Sequence, residues 1–276
     1  MSVRTLFRSL KRTLLVTPRA LPAIAMYRRV RRAPLRAACV PGAVCESLKW
    51  LRSSEGKNAL YDLQTAAVMA RVLTKTSNCV DIGAADGTIL TEMLRFAPDG
   101  HHYAFEPIPE KVERLRANFP AVRVVPVALS DAAGESTFHY VVSNPGYSGL
   151  RRRRYDRPDE HVEIITVRMA ALDDILPRGL KVRFVKVDVE GAELQVFKGA
   201  VETIERHRPY IVFEHGLGAA DCYGTTAEDV YAVLADRCGL RVSLMSGWLS
   251  GREALRRDEF IRQFTGRKNF YFLGHP

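Results

Sequence analysis

The chain has no uninterrupted apolar run approaching the roughly 18 to 20 residues that a bilayer-spanning helix needs. Its best candidate, TLLVTPRALPAIAMY, is broken by Pro18, Arg19 and Pro22, and no small-residue cleavage site follows. The five cysteines (Cys39, Cys45, Cys79, Cys222, Cys238) form no CxxC pair. That spacing disfavours both a zinc site and a disulfide framework, and scattered reduced thiols point to a cytoplasmic protein. The dinucleotide fingerprint GxGxxG is missing, which disfavours an NAD-dependent oxidoreductase. No nucleic-acid motif or aromatic interleaving is present, so no nucleic-acid partner is expected.

Acidic residues are also absent from the first 45 positions, where Arg4, Arg8, Lys11, Arg12, Arg19, Arg28, Arg29, Arg31, Arg32 and Arg36 lie. Removing these ten from the 41 basic residues leaves 31 against 31 acids, so the formal charge of +10 belongs to the leader and the body is balanced. Leu6, Phe7, Leu10 and Leu14 between basic residues would form a short basic amphipathic helix. Residues 1–36 are thus the candidate for peripheral membrane contact, against a solvated leader packing on the domain.

What is present is a regular alternation. Helix spacing over Ala59–Leu73 precedes strand candidates at Cys79–Ile82, His102–Phe105, Val122–Ala128, Phe184–Val189 and Tyr210–Glu214. Helix candidates intervene at Thr88–Phe96, Pro109–Asn118, Ala192–Arg206 and Ala227–Arg237. Short apolar strands alternating with amphipathic helices imply a doubly wound, mostly parallel α/β sheet. Between Asp131 and Leu180, STFHYVV and HVEIITVRM flank a polar loop and predict a hairpin-like insertion. GLRVSLM and KNFYFLG predict two final strands antiparallel to each other. The expected organisation is a basic extension, 1–58, and a domain, 59–276.

NCVDIGAADGTIL runs from a buried strand through glycines into a helix. An acid at a strand end followed by such a turn suits a cationic nucleoside such as S-adenosylmethionine, although structural turns use the same residues. Strand HYAFEP ends in Glu106, 25 residues after Asp81, where a carboxylate can accept both ribose hydroxyls. In VPVALSD, Ser130 and Asp131 follow the third strand and could meet an adenine edge, or form an Asx turn before Gly134.

Together, VDIGAADG, FEPIPE, ALSD, VRMAALDDI, VKVDVEGAELQVFKGA and PYIVFEHG, in this order, resemble the FkbM-type family of class I S-adenosylmethionine-dependent methyltransferases. The likeness covers roughly Ser77–Phe272, about 70% of the chain. It implies a Rossmann-like seven-stranded sheet with an antiparallel last strand pair. It also implies that Asp81, Gly83 and Gly87 line the methionine end, that Glu106 binds ribose, and that Ser130 and Asp131 face the adenine. Ala85 departs from the pattern, standing where many members carry a middle glycine, and is small enough for the pocket to survive.

Methyl transfer to a hydroxyl needs an aligned acceptor and a base. In KVDVEGAELQ, Asp188 and Glu190 lie at the mouth of the fourth strand, while Glu193 is read as helix capping. Glu214 and His215, ending the fifth strand, converge on the same crevice, His215 as an alternative base or a structural histidine. Asp188, Glu190 and His215 suit a divalent metal chemically but match no metal motif, so a metal is not favoured. In SNPGYSGLRRRR, Asn144, Tyr147 and Ser148 offer hydrogen bonds to a sugar or polyol, and Arg151–Arg154 either meet an acidic group or form a solvated turn. The expected function is O-methylation of a carbohydrate, glycolipid or polyketide-like acceptor. The alternative is a catalytically silent nucleoside-binding module docking on a membrane or protein partner.

Overall fold

The computed structural model describes residues 54–155, 157 and 159–276. The expectations for the basic leader, including membrane contact through residues 1–36, lie outside the described residues. Among the described residues no helix is long and apolar enough to cross a membrane, and Cys79, Cys222 and Cys238 are free thiols.

The described residues divide into two compact units, 54–71 with Met245–Arg252, and Val72–Leu244 with Glu253–Pro276. The boundary expected after residue 58 falls inside the helix Ser54–Val72. In the first unit, Thr65 Oγ1 donates to Tyr61 O at 2.8 Å, and the Arg71 guanidinium lies 5.2 Å over the Trp248 ring.

The second unit is built on ten strands: β1 (Asn78–Ile82), β2 (His102–Phe105), β3 (Val122–Val125), β4 (Ala128–Leu129), β5 (Gly134–Val141), β6 (Val162–Ala170), β7 (Val182–Val187), β8 (Tyr210–Glu214), β9 (Arg241–Ser243) and β10 (Tyr271–His275). Seven of them form one sheet in the order β3-β2-β1-β7-β8-β10-β9. Pairings from β3 across to β8 are parallel, and β10 runs antiparallel to both β8 and β9. Strand order reverses between β1 and β7, and a doubly wound sheet opens a crevice beyond the carboxyl ends at that point.

Near-continuous apolar strands suit a sheet covered on both faces. Val80, Ile82, Phe105, Val185, Val187 and Phe213 form a buried core with Phe197, Phe260 and Phe272. Burial of each such side chain contributes about 1.5–3 kcal/mol.

The expected strand Val122–Ala128 is instead two strands in two sheets. Pro126 has no N–H to continue the ladder, so the chain leaves β3 and re-enters as β4 of a smaller sheet ordered β4-β6-β5. The predicted hairpin is its β5–β6 pair. The expected helix Ala192–Arg206 is broken into Glu193–Lys198 and Val201–His207. Gly199 sits at the break, where a Cβ would come within 2.0 Å of Ser130 O. Likewise, Ala227–Arg237 begins as α-helix and finishes as a π-helical turn from Ala232. Between β9 and β10 runs a further nine-residue helix, Arg257–Thr265.

Candidate active site

A cavity of about 590 Å³ lies beyond the ends of β1, β2 and β7, lined by Gly83, Ala85, Glu106, Asp188 and Glu190 among others. Its floor is made by two left-handed turns. Gly83 has φ 78°, and a Cβ there would stand 1.9 Å from Asp188 O, so only glycine lets the β1 and β7 ends close together. Ala85 also adopts a left-handed conformation, at φ 48°, which costs a residue with a Cβ about 1–2 kcal/mol. Its N–H donates to Glu106 Oε2 at 2.9 Å, and Ile108 N–H donates to Oε1 at 3.0 Å. Two backbone donors therefore aim the Glu106 carboxylate, and burial raises its pKa.

The other end of the cavity is acidic. Carboxylate oxygens of Asp188, Glu190 and Glu214 lie within 4.8 Å of one another. Lys186 Nζ donates to Asp188 Oδ2 at 2.8 Å, and the Tyr271 hydroxyl donates to the same oxygen at 2.5 Å. Burial would raise the Asp188 carboxyl, but the Lys186 charge and these bonds outweigh it and hold it at about 2. Glu190 goes the other way: burial and the neighbouring Asp188 charge push it up to about 8, against the opposing pull of Arg153. The Arg153 guanidinium pairs directly with Glu190 Oε2, so this contact becomes a full ion pair as Glu190 loses its proton. Burial and the Asp188 charge also raise Glu214 well above its ordinary value. One carboxylate is thus fixed in its charged form beside two that hold protons more tightly, a division of roles suited to acid–base work.

Glu190 itself has φ 57°. Such strain in a non-glycine residue persists only where the surroundings enforce it. Here Gly191, at φ 107°, leaves no room for a Cβ against the Ala219 backbone, and Glu193 accepts from Gly191 N–H at 3.0 Å and Val189 N–H at 3.3 Å. Glu193 is buried and holds this turn instead of capping the helix that it begins.

The other expected site residues fall into two groups. Ser148 lines the cavity, but its hydroxyl is used inward, accepting from Val141 N–H at 3.0 Å. Asp81, Gly87, Ser130, Asp131, Asn144, Tyr147, Glu214 and His215 are not in the lining. Asp81 pairs in register with Lys186 inside the sheet, and burial raises its carboxyl to about 7. Gly87 shapes the turn, since a Cβ there would meet the Phe119 ring at 2.2 Å. Ser130 donates to Asp131 Oδ1 at 3.2 Å outside the cavity, where Val127, Ala128 and Leu129 form the wall instead. His215, read as an alternative base or a structural histidine, lies away from the cavity: it is fully buried and stacked on Phe264 at 4.5 Å. Successive strand residues face opposite sides, so Glu214 meets the acidic cluster and His215 the aromatic core, where burial lowers its pKa to about 4. It cannot serve as the base or a metal ligand in the cavity.

A family model described as the methyltransferase FkbM domain matches residues 81–242, more than half of the chain. The chain belongs to the FkbM methyltransferase family. The strand order and the antiparallel β10 are those expected of the class I methyltransferase fold. Among characterised relatives, the 2-O-methyltransferase NoeI of Sinorhizobium fredii NGR234 is 30% identical over 144 residues, covering 47% of this chain and 59% of that protein. The methyltransferase sdnD of Sordaria araneosa is 31% identical over 155 residues, covering 45% and 60%. The chain spans about three fifths of these relatives' length. The crystal structure of an FkbM methyltransferase from Methylobacillus flagellatus superposes with a TM-score of 0.45 at 15% identity, covering 94% of this chain and 59% of that one.

This FkbM domain implies S-adenosylmethionine as its cofactor, and the cavity fits that ligand chemically. The Gly83–Ala85 turn leaves backbone close to the space, and Glu106 presents an oriented carboxylate of the kind that accepts paired hydroxyls. A divalent metal does not fit as well. Lys186 already neutralises Asp188 and Arg153 occupies Glu190 Oε2, and the histidine that would have completed a ligand set faces the core.

Lys186, Tyr271 and Arg153, which contact the acidic cluster, are residues that sequence reading passed over or left unassigned. A lysine inside the apolar strand VRFVKV was the available signal, because a buried ammonium requires a partner. Tyr271 gave no such signal, being an ordinary aromatic in a core strand 85 residues from Lys186.

Proposed function

We propose that the protein is an S-adenosylmethionine-dependent O-methyltransferase acting on a hydroxyl of a carbohydrate, glycolipid or polyketide-like acceptor. The observation that carries this reading is that Glu190, its carboxyl raised to about 8, lines the same cavity as the Gly83–Ala85 turn and Glu106. When bound, S-adenosylmethionine supplies the methyl group. Glu106 binds the ribose hydroxyls. Glu190 accepts the proton of the attacking hydroxyl, for which a base of pKa near the working pH is well matched. Asp188, kept ionised by Lys186 and Tyr271, favours a positive charge beside it. Both relatives are named as methyltransferases, which favours an enzyme over a silent nucleoside-binding module, and the name of one, a 2-O-methyltransferase, supports hydroxyl methylation.

The test is incubation of the purified protein with isotopically labelled S-adenosylmethionine and a panel of sugars, glycolipids and polyketides. Label recovered in a methyl ether on one acceptor supports the reading; label recovered on nitrogen or carbon overturns it.

A further inference from the structure

Beside the cavity, the loop bearing Arg151, Arg152, Arg153 and Arg154 is a built feature. The Arg151 guanidinium lies 5.5 Å over the Tyr223 ring, and the Tyr223 hydroxyl accepts from Arg151 N–H at 3.0 Å. Arg152 lies 5.8 Å over Tyr155, Arg153 lies 4.6 Å over Tyr147, and the Tyr147 and Tyr155 rings stack at 6.3 Å. Three tyrosines therefore form a bed for three guanidinium planes, which reduces the entropy lost when those groups engage a ligand. The bed is tied to the cavity at two points: Arg153 pairs with Glu190, and Leu150, just before Arg151, is part of the cavity wall.

Four consecutive arginines concentrate positive charge on this loop. Arg95, Arg114, Arg206, Arg237, Arg256, Arg257 and Arg262 each have a carboxylate partner. Arg151, Arg152 and Arg154 are exposed and, among the described residues, have no acidic partner. Arg153 pairs with Glu190, the member of the acidic cluster that the loop contacts.

We propose that the acceptor carries a phosphate group that docks on Arg151 and Arg152. The proposal rests on the methyltransferase reading and names the substrate class of that site. Two guanidinium forks, from consecutive residues, match the charge of a phosphate monoester and the three terminal oxygens it offers; one carboxylate would satisfy one fork. The phosphate can belong to a soluble sugar phosphate or to a lipid-linked one.

The experiment titrates protein saturated with S-adenosylhomocysteine, comparing wild type with R151Q/R152Q. The probes are a hexose 1-phosphate, the free hexose, and phosphatidylcholine vesicles with and without phosphatidic acid. Tighter binding of hexose 1-phosphate than hexose by tenfold or more, lost in the variant and weakened by salt, establishes the soluble source. Binding only to phosphatidic acid vesicles, lost in the variant, establishes the lipid source. Equal behaviour of hexose and hexose phosphate without vesicle binding overturns the proposal. So does any phosphate or vesicle binding that the variant retains, because it then belongs to another basic segment such as the first 45 residues. Saturation with S-adenosylhomocysteine is measured first in both proteins; its failure would count against the methyltransferase reading and not against the arginine loop.

Discussion

Lys186 Nζ and Asp188 Oδ2 are 2.8 Å apart at the end of β7, the ammonium side chain 6% exposed and the carboxylate 27%. A buried pair of this kind is expensive to break, because removing one partner strands the other. Lys186→Met is expected to lower stability by about 3 kcal/mol in urea unfolding at neutral pH. Asp188 has its carboxyl depressed to about 2 from an ordinary 3.8. The stability it contributes is complete above the ordinary value and disappears as pH falls through about 2. The difference between Lys186→Met and wild type should shrink over that window. A constant difference down to pH 2 would show that the pair is not the source.

Glu190→Gln is expected to lower kcat about 100-fold or more while leaving S-adenosylhomocysteine affinity within about threefold. In the wild type, the logarithm of kcat should rise with unit slope as pH increases and level off near 8, the value to which burial and Asp188 push Glu190. Stability should move in the opposite direction. A raised carboxyl makes the folded state bind its proton more tightly, so stability falls as pH rises from the ordinary 4.5 through about 8. Thermal unfolding at pH 5 and pH 8.5 should show a smaller drop in Glu190→Gln than in wild type.

His215→Phe should fold with a stability change within about 1.5 kcal/mol, as a near-isosteric swap among aromatic rings, and keep kcat within about threefold. Its ring stacks on Phe264 and Phe260, at 4.5 and 6.2 Å. Steady-state kinetics on the variant checks this, and a hundredfold loss with intact folding would restore histidine as the base.

Gly83→Ala should be destabilised by at least about 2 kcal/mol, combining left-handed strain with overpacking against Asp188 O. Denaturant unfolding measures the loss. Gly134→Ala is the matched control, since a Cβ at Gly134 meets nothing within 4 Å, although its φ of 149° also favours glycine.

The sheet was legible because its buried parallel strands are short apolar runs bounded by glycine, proline and polar residues. His102–Phe105 and Tyr210–Glu214 begin and end where the apolar pattern does. The misread segments are those where one backbone feature interrupts a good pattern, as Pro126 does in the third strand and Gly199 in the helix after β7. Glu106, Asp188 and Glu190 line the cavity because each lies within three residues of a strand end at the crevice. His215 does not, because one residue beyond a strand end reverses the face that a side chain presents. The partners that set the carboxyl charges come from elsewhere in the chain. Tyr271 reaches Asp188 from β10, and Arg153 reaches Glu190 from the loop between β5 and β6. Pairings this distant leave no spacing to read.

The most direct test of the account is calorimetric titration of wild type and Glu106→Ala with S-adenosylmethionine, S-adenosylhomocysteine and NAD. Both sulfur nucleosides should bind wild type at one site, NAD should give no heat, and Glu106→Ala should bind about 10- to 100-fold more weakly through loss of charged hydrogen bonds. Folded wild-type protein that binds neither sulfur nucleoside, or Glu106→Ala that binds them as tightly as wild type, would contradict the assignment of the cavity.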